Sequence, residues 1–322
     1  LFEQATSATT HRESSTKEYV VKAIEFDAFG GPEVLHEVDV DKPEPGPGEV
    51  LVRVRRAGVN PYDGKVRAGF FQAFSPVTLP LVPGFEIAGV IAELGDGATD
   101  FAVGDEVFGW AKGAAYAEYA VGRTLVRKPA ELDWDIAVSL PVATETALRV
   151  LRELDIAAGE TLLVHGASGA VGSIAAQLAV ARGLTVIGTG SGANQEYIAT
   201  LGATPTHYGP GLVDRVRALA PNGVDAVFDA AGKGALPDSI ELRGGTDRIV
   251  TIADPKANEL GVRMSSGGGA IPVADIAQAA ELAERGKLTV TVAATYPLAE
   301  AAKAQEVVDG GHAGGKIVLV VD

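Results

Sequence analysis

Between residues 161 and 253 the chain alternates short apolar runs with stretches of helical spacing. The run Leu162-Leu163-Val164 meets a turn holding Gly166, Gly169 and Gly172. An alanine-rich stretch with Ile174, Leu178 and Val180 then predicts a helix through residue 182. Further strands are predicted over 184–189, 203–208, 224–229 and 248–253, with helices near 212–219 and 236–242. Strands alternating with helices in this way predict an α/β fold with a doubly wound parallel (Rossmann) sheet, which binds ligands at the carboxyl ends of its strands.

The preceding part reads differently. Residues 20–26, 49–55, 86–94, 106–110 and 117–121 are strand-like, several with alternating polarity, and turns are predicted at 43–48 and 95–97. A helical region starts at 133–141, and a helix over 143–154 leads into the parallel α/β fold. After residue 269 a helix (274–284), a strand (290–294), a helix (298–308) and a last strand (317–321) are expected to return to the first domain. The predicted division is a leader at 1–18, a discontinuous and mainly β barrel-like domain at 19–143 and 271–322, and a Rossmann domain at 144–270. There are no internal repeats.

A strand that turns through glycines onto a helix start makes a seat for diphosphate. Bulky side chains would block the approach, and the first helical amides point at the anion. Ser168, Gly169, Ala170 and Val171 are the candidates for that seat. The turns after later strands, with Ala230, Ile252 and Ala253, extend the same edge. At the end of the second strand an Asp or Glu would take the ribose hydroxyls of NAD. The chain has Gly190 and Ser191 there and no acid before Glu196, which predicts NADPH. The 2′-phosphate is expected to use Ser191, Asn194, Tyr208 and backbone amides, with Arg215 as the nearest candidate cation.

Composition narrows the classes. The 322 residues include 27 basic and 42 acidic side chains, a formal charge of −15, which disfavours nucleic acid and anionic lipid as partners. No cysteine is present, so disulfides, thiolate chemistry and cysteine-held zinc are all excluded. The histidines at 11, 36, 165, 207 and 312 are scattered without ligand spacing, and nearly all read as surface or turn residues. Residues 161–181 carry no charge, but His165, Ser168, Ser173, Gln177 and the glycines interrupt them, so a soluble core is predicted rather than a membrane span. Residues 1–18 are polar and read as a disordered leader, and a cytoplasmic location is expected.

Several motifs resemble the medium-chain dehydrogenase/reductase superfamily. They are Ala57-Gly58-Val59-Asn60-Pro61 with Asp63, Lys65 and Arg67-Ala68-Gly69, then Pro83-Gly84-Phe85-Glu86-Ile87-Ala88-Gly89 and Val103-Gly104-Asp105-Glu106-Val107. His165-Gly166-Ala167-Ser168-Gly169-Ala170-Val171-Gly172, Gly286-Lys287-Leu288 and Gly315-Lys316-Ile317-Val318-Leu319 complete the set. Within it the chain is most similar to the zinc-free quinone oxidoreductase branch, which includes zeta-crystallin-like and alkenal/enone reductases. The resemblance implies a GroES-like barrel for the first domain, a homodimer, and a small quinone or enone substrate. Zinc alcohol dehydrogenases carry His where this chain has Phe85 and Cys near Asn60, so no metal is expected.

The resemblance also implies a metal-free hydride transfer. Conjugated carbonyls delocalise the incoming charge, so the protein must mainly hold nicotinamide C4 against the acceptor carbon and exclude water. Asn60, Tyr62 and Lys65 are the candidate catalytic residues on that wall, with Asp63 orienting Lys65 or capping a helix from Gly64. Thr146 matches a Thr at the domain crossing, and the loop 265–269 is expected to pass the nicotinamide. Enoyl-thioester reductases resembling this branch carry Tyr where Phe70-Phe71 stands, and neither Phe donates a proton. The leading expectation is therefore an NADPH-dependent quinone or enone reductase. A 2-enoyl thioester reductase and a non-catalytic NADPH-binding, crystallin-like protein are the alternatives.

Overall fold

A computed structural model of the chain describes residues 20–267, 269, 273–311 and 313–321. The expected leader, His11, Gly268 and His312 lie outside the described residues.

The first part opens with an antiparallel hairpin, β1 (Val20–Glu25) with β2 (His36–Asp41). Strands β3 (Val50–Val59), β4 (Glu86–Leu94), β5 (Glu106–Ala111) and β6 (Tyr119–Arg127) follow as antiparallel neighbours. β3 also pairs with β6, which closes the four strands on themselves. Between β3 and β4 lies a short helix, α1 (Pro61–Arg67). Ile24, Phe26, Val52, Val54, Ile87, Ile91 and Tyr116 are buried in the core of this part.

α2 (Trp134–Ser139) and α3 (Pro141–Glu153) lead into the second sheet. Asp133 starts α2 by accepting the Asp135 and Ile136 amides at 2.8 and 3.3 Å, a standard N-cap. The second part then runs β7 (Thr161–His165), α4 (Ala170–Ala181), β8 (Thr185–Gly190), α5 (Gln195–Thr200), β9 (Thr204–His207) and α6 (Leu212–Leu219). It continues with β10 (Ala226–Asp229), α7 (Leu236–Arg243), β11 (Ile249–Thr251) and β12 (Arg263–Met264). The six strands are parallel in the order β12-β11-β10-β7-β8-β9. That is the doubly wound dinucleotide-fold order, whose switch point lies between β7 and β10. Alternation explains the burial. Leu162 and Val164 face the cluster holding Ile174 and Ala175 of α4, whereas Leu163 faces Leu212, Val216 and Leu236 of α6 and α7.

The chain then returns. After α8 (Val273–Glu284), β13 (Val292–Pro297) pairs with β14 (Lys316–Val320), with α9 (Ala301–Asp309) between them, and β14 runs antiparallel to β3. The last strand thus joins the first sheet. No described helix is long and apolar enough to cross a membrane, and the apolar stretch at 161–181 is split between β7 and α4.

Several elements differ from the sequence reading: α5 was not predicted, and β6 runs on to Arg127 beyond the expected 117–121. β2 pairs only with β1 and is half acidic, so its alternation of Val38 and Val40 carried little signal. α1 begins at Pro61, not Gly64, and holds a central glycine. It depends on its cap rather than on periodicity: Asp63 N donates to Asn60 O at 3.0 Å, while Asn60 N donates to Asp63 Oδ2 at 2.9 Å. β12 is two exposed residues, too short to show a pattern.

Candidate active site

The sequence-predicted cofactor residues gather along the carboxyl edge of the parallel sheet. The loops carrying Gly166–Val171, Gly190–Ser191, Ala230 and Ile252–Ala253 follow β7, β8, β10 and β11, which are adjacent strands. Gly166 has φ +73°, and a Cβ on Gly172 would sit 2.1 Å from Gly166 O, so the turn can be made only of glycine at these points. Gly169 differs, because a Cβ there would find its nearest atom at 3.4 Å. It is the N-cap of α4 and no side chain caps the helix, which leaves its first amides for an anion. Asn194 Nδ2 donates to Ser168 Oγ at 2.9 Å, which joins the glycine turn to the end of β8.

A chain of buried polar groups holds these loops from beneath. Gly166 N donates to Thr189 Oγ1 at 3.3 Å, and Thr189 Oγ1 lies 3.3 Å from His165 Nδ1. His165 Nε2 lies 3.0 Å from Ser239 Oγ, which gives its proton to Ala235 O. The neutral imidazole protonated on Nε2 satisfies every group in this series. Burial holds His165 below the usual histidine range, against the opposing pull of Asp229 and Asp238. His165 is therefore a core residue, and the expectation that the histidines are mostly surface or turn residues fails for it. Beside it, Asp229 accepts the Ala231 and Gly232 amides at 3.0 Å each and the Thr251 hydroxyl at 2.8 Å. Thr251 Oγ1 in turn accepts the Ala253 and Asp254 amides.

The predicted catalytic residues lie on α1 and at its N-cap. Asn60 is buried at 6% exposure. Its Nδ2 donates to Glu86 Oε2 at 3.0 Å, and its Oδ1 accepts Lys316 Nζ at 2.7 Å. Lys316 also pairs with Glu86, which is fully buried. The Asn60 carboxamide is thus engaged inside the protein, whereas the sequence reading aimed it at the substrate. Asp63 Oδ2 accepts the Tyr116 hydroxyl at 3.0 Å besides the Asn60 amide, and burial lifts its carboxyl to about 7. It binds Tyr116, not Lys65.

Tyr62 is 49% exposed and stacks on Phe71 with ring centroids 5.0 Å apart. Phe85 meets its edge at 5.5 Å, and Phe70 and Phe74 flank Phe71 at 5.2 and 5.6 Å. Lys65 is exposed and makes no ion pair among the described residues. Thr146 is buried on α3. Ser265 is buried as well and is tied to Arg149 and Glu153 of α3, so the loop it starts is anchored at that end. Glu86, Lys316, Tyr116, Asp229 and Thr251 went unnoticed as site residues. Glu86 and Lys316 lay within motifs of the resemblance, and Asp229 and Thr251 at strand ends, whereas Tyr116 offered no signal.

The chain matches the "Alcohol dehydrogenase GroES-like domain" family at residues 46–128 and the "Zinc-binding dehydrogenase" family at 201–319. It is 31% identical to the quinone oxidoreductase of Homo sapiens, over 95% of this chain and 100% of that protein. The quinone oxidoreductase of Coxiella burnetii superposes with a TM-score of 0.84 at 31% identity, covering 94% of this chain and all of the other. The Escherichia coli quinone oxidoreductase, solved in complex with NADPH, gives 0.82 at 26% identity over 93% and 100%. Fold and relatives together define a medium-chain dehydrogenase/reductase, an oxidoreductase of the NAD(P)H-dependent kind. Within that superfamily the chain belongs to the quinone oxidoreductase family.

The zinc named by the second family does not fit the residues here. Phe85 has no lone pair to give, and Lys316 sets a positive charge against Asn60 and Glu86, the oxygen donors beside it. Among the described residues no three His, Cys, Asp or Glu side chains form a metal-holding group.

Proposed function

We propose that this protein is an NADPH-dependent, metal-independent reductase of quinones or α,β-unsaturated carbonyl compounds. One observation carries the reading: an uncapped helix start behind a glycine turn, with no carboxylate at the end of the next strand, Gly190-Ser191-Gly192. The diphosphate would rest on Ser168, Gly169, Ala170 and Val171, and the ribose end on Gly190, Ser191 and Tyr208. Ala230, Ile252, Ala253 and Thr146 would border the nicotinamide half. Bound NADPH supplies a hydride from its nicotinamide.

The protein's own part is placement and charge control. The chain from Gly166 to Ala235 and the Asp229–Thr251 pair fix the loops that border the crevice before any ligand arrives. Tyr62, on its Phe71 and Phe85 supports, gives a flat acceptor an apolar face that excludes water. Lys65 would donate to the acceptor oxygen as negative charge develops there. Asn60 would act by fixing the N-terminus of α1, which carries Tyr62 and Lys65. Phe70 and Phe71 supply no phenol, which favours a quinone or enone over a 2-enoyl thioester.

The test follows NADPH absorbance with phenanthrenequinone, a simple enone and crotonyl thioester in parallel. Oxidation with either of the first two supports the reading. Binding of NADPH without turnover of any of the three would leave the non-catalytic reading standing instead.

A further inference from the structure

Beside the glycine turn, the ends of β8 and β9 lie next to one another, with Gly190 opposite His207 in register. The His207 ring leans over the turn that ends β8, its Cε1 3.6 Å from where a Cβ on Gly192 would sit. From β9 the chain runs through Tyr208, which is exposed, Gly209, Pro210 and Gly211 into α6. Arg215 on α6 gathers the carbonyls of this loop. Its guanidinium donates to His207 O at 2.9 Å, Gly209 O at 3.2 Å, Pro210 O at 2.8 Å and, at the limit, Tyr208 O at 3.5 Å. It has no carboxylate partner among the described residues.

Two consequences follow. In a trans peptide the N–H points opposite to the C=O, so binding those carbonyls inward turns the Tyr208, Gly209 and Gly211 amides outward. The Gly209 and Gly211 amides, in residues with φ of +82° and +76°, donate to nothing else among the described residues. The loop thus offers donors on its outer side and a cation behind them. Neither turn carries an acid; the nearest, Glu196 and Asp214, stand on the helices that follow. Gln195 reinforces the join, its Nε2 donating to Gly190 O, Ser191 O and Thr206 O.

We propose that His207 and Arg215 select NADPH over NADH, His207 as a direct ligand of the adenosine 2′-phosphate and Arg215 as the positioning residue that shapes the 207–211 loop around it. This inference rests on the NADPH reading above and adds the residues that enforce it. The sequence reading set His207 aside as a surface histidine and named Arg215 only as the nearest candidate cation.

The test measures dissociation constants of 2′,5′-ADP and 5′-AMP for the whole protein by calorimetry. The wild type should prefer 2′,5′-ADP by at least tenfold. His207→Ala and Arg215→Gln should each weaken 2′,5′-ADP by about tenfold, the size of a lost charge-assisted hydrogen bond. Binding of 5′-AMP should stay unchanged, which also certifies the fold, and Arg215→Lys should recover part of the preference. A wild type without preference sinks the NADPH reading together with this one. A wild type with preference, kept by both variants, sinks the assignment of His207 and Arg215 alone. A loss shared equally by both ligands reduces the two residues to structural supports and equally overturns it.

Discussion

Glu86 accepts the side-chain amide of Asn60 at 3.0 Å while its other oxygen accepts the backbone amide of Val142 at 2.9 Å. The first bond reaches the start of α1, the second the start of α3, and Lys316 adds β14 to the same carboxylate. One buried residue therefore ties together the helix bearing Tyr62, the helix bearing Thr146 and the strand that returns from the chain's end. An anion suits the place, because it satisfies an ammonium and the first turn of a helix together.

Replacing Glu86 by Gln should expose how far this junction depends on charge. The Lys316 ammonium, buried and without its counter-ion, is expected to cost about 3–5 kcal/mol of folding stability. Urea unfolding measures it. The Glu86→Gln/Lys316→Met double variant should lose less than the sum of the single changes, since the stranded charge is then gone. Strict additivity would mean that the pair is not coupled.

The glycine turn makes two opposite expectations for neighbouring glycines. Gly172→Ala pushes a methyl against Gly166 O, at 2.1 Å before relaxation, and should lower stability and NADPH affinity together. Gly169→Asp has room in the folded protein, with nothing nearer than 3.4 Å to its Cβ. Its carboxylate would cap α4 and repel the diphosphate, so the variant should melt no lower than the wild type yet lose NADPH binding. Thermal melts and fluorescence titration separate the two. Retained NADPH binding in Gly169→Asp would place the diphosphate elsewhere.

Most of the parallel sheet was legible because β7, β8, β10 and β11 are almost wholly buried runs, and β7 and β8 lead into glycine turns. The predicted helix 212–219 coincides with α6, and the predicted strand 86–94 with β4. What stayed hidden was pairing across distance. Nothing local in Gly315-Lys316-Ile317 says that the lysine lies against Asn60, 256 residues earlier. Asn60 read as a catalytic residue, but it is the N-cap of α1, and its side chain faces inward because Glu86 and Lys316 are there to receive it. Tyr62 was legible only as an aromatic near a loop. Its stack on Phe71 depends on how the segment after α1 folds back.

The aromatic wall gives a prediction about the acceptor. Tyr62→Ala removes the ring that Phe71 and Phe85 support, and the KM for a planar quinone should rise about tenfold with little change in NADPH affinity. Tyr62→Phe keeps the stack and should stay near the wild type. A loss of kcat in Tyr62→Phe without a change in KM would instead assign the hydroxyl a part in the chemistry. Steady-state kinetics with both variants decide between these outcomes.

Asp63 ties stability to pH in a direction opposite to most carboxylates. Its ordinary value is 3.8, and burial raises it to about 7 in the folded protein. Between those values the folded chain holds a proton that the unfolded chain has released. The stability that protonated Asp63 contributes is therefore complete below pH 3.8, declines as the pH rises toward 7 and levels off above it. Asp63→Asn keeps acceptors for the Asn60 amide and the Tyr116 hydroxyl, and it cannot ionise. Relative to the wild type the variant should gain stability steadily from pH 4 to 7, by a few kcal/mol in all, on the order of the shift multiplied by the energy of one pKa unit. Urea unfolding of both proteins across that range measures the difference. A constant difference between them would mean that Asp63 ionises as easily in the fold as in the open chain.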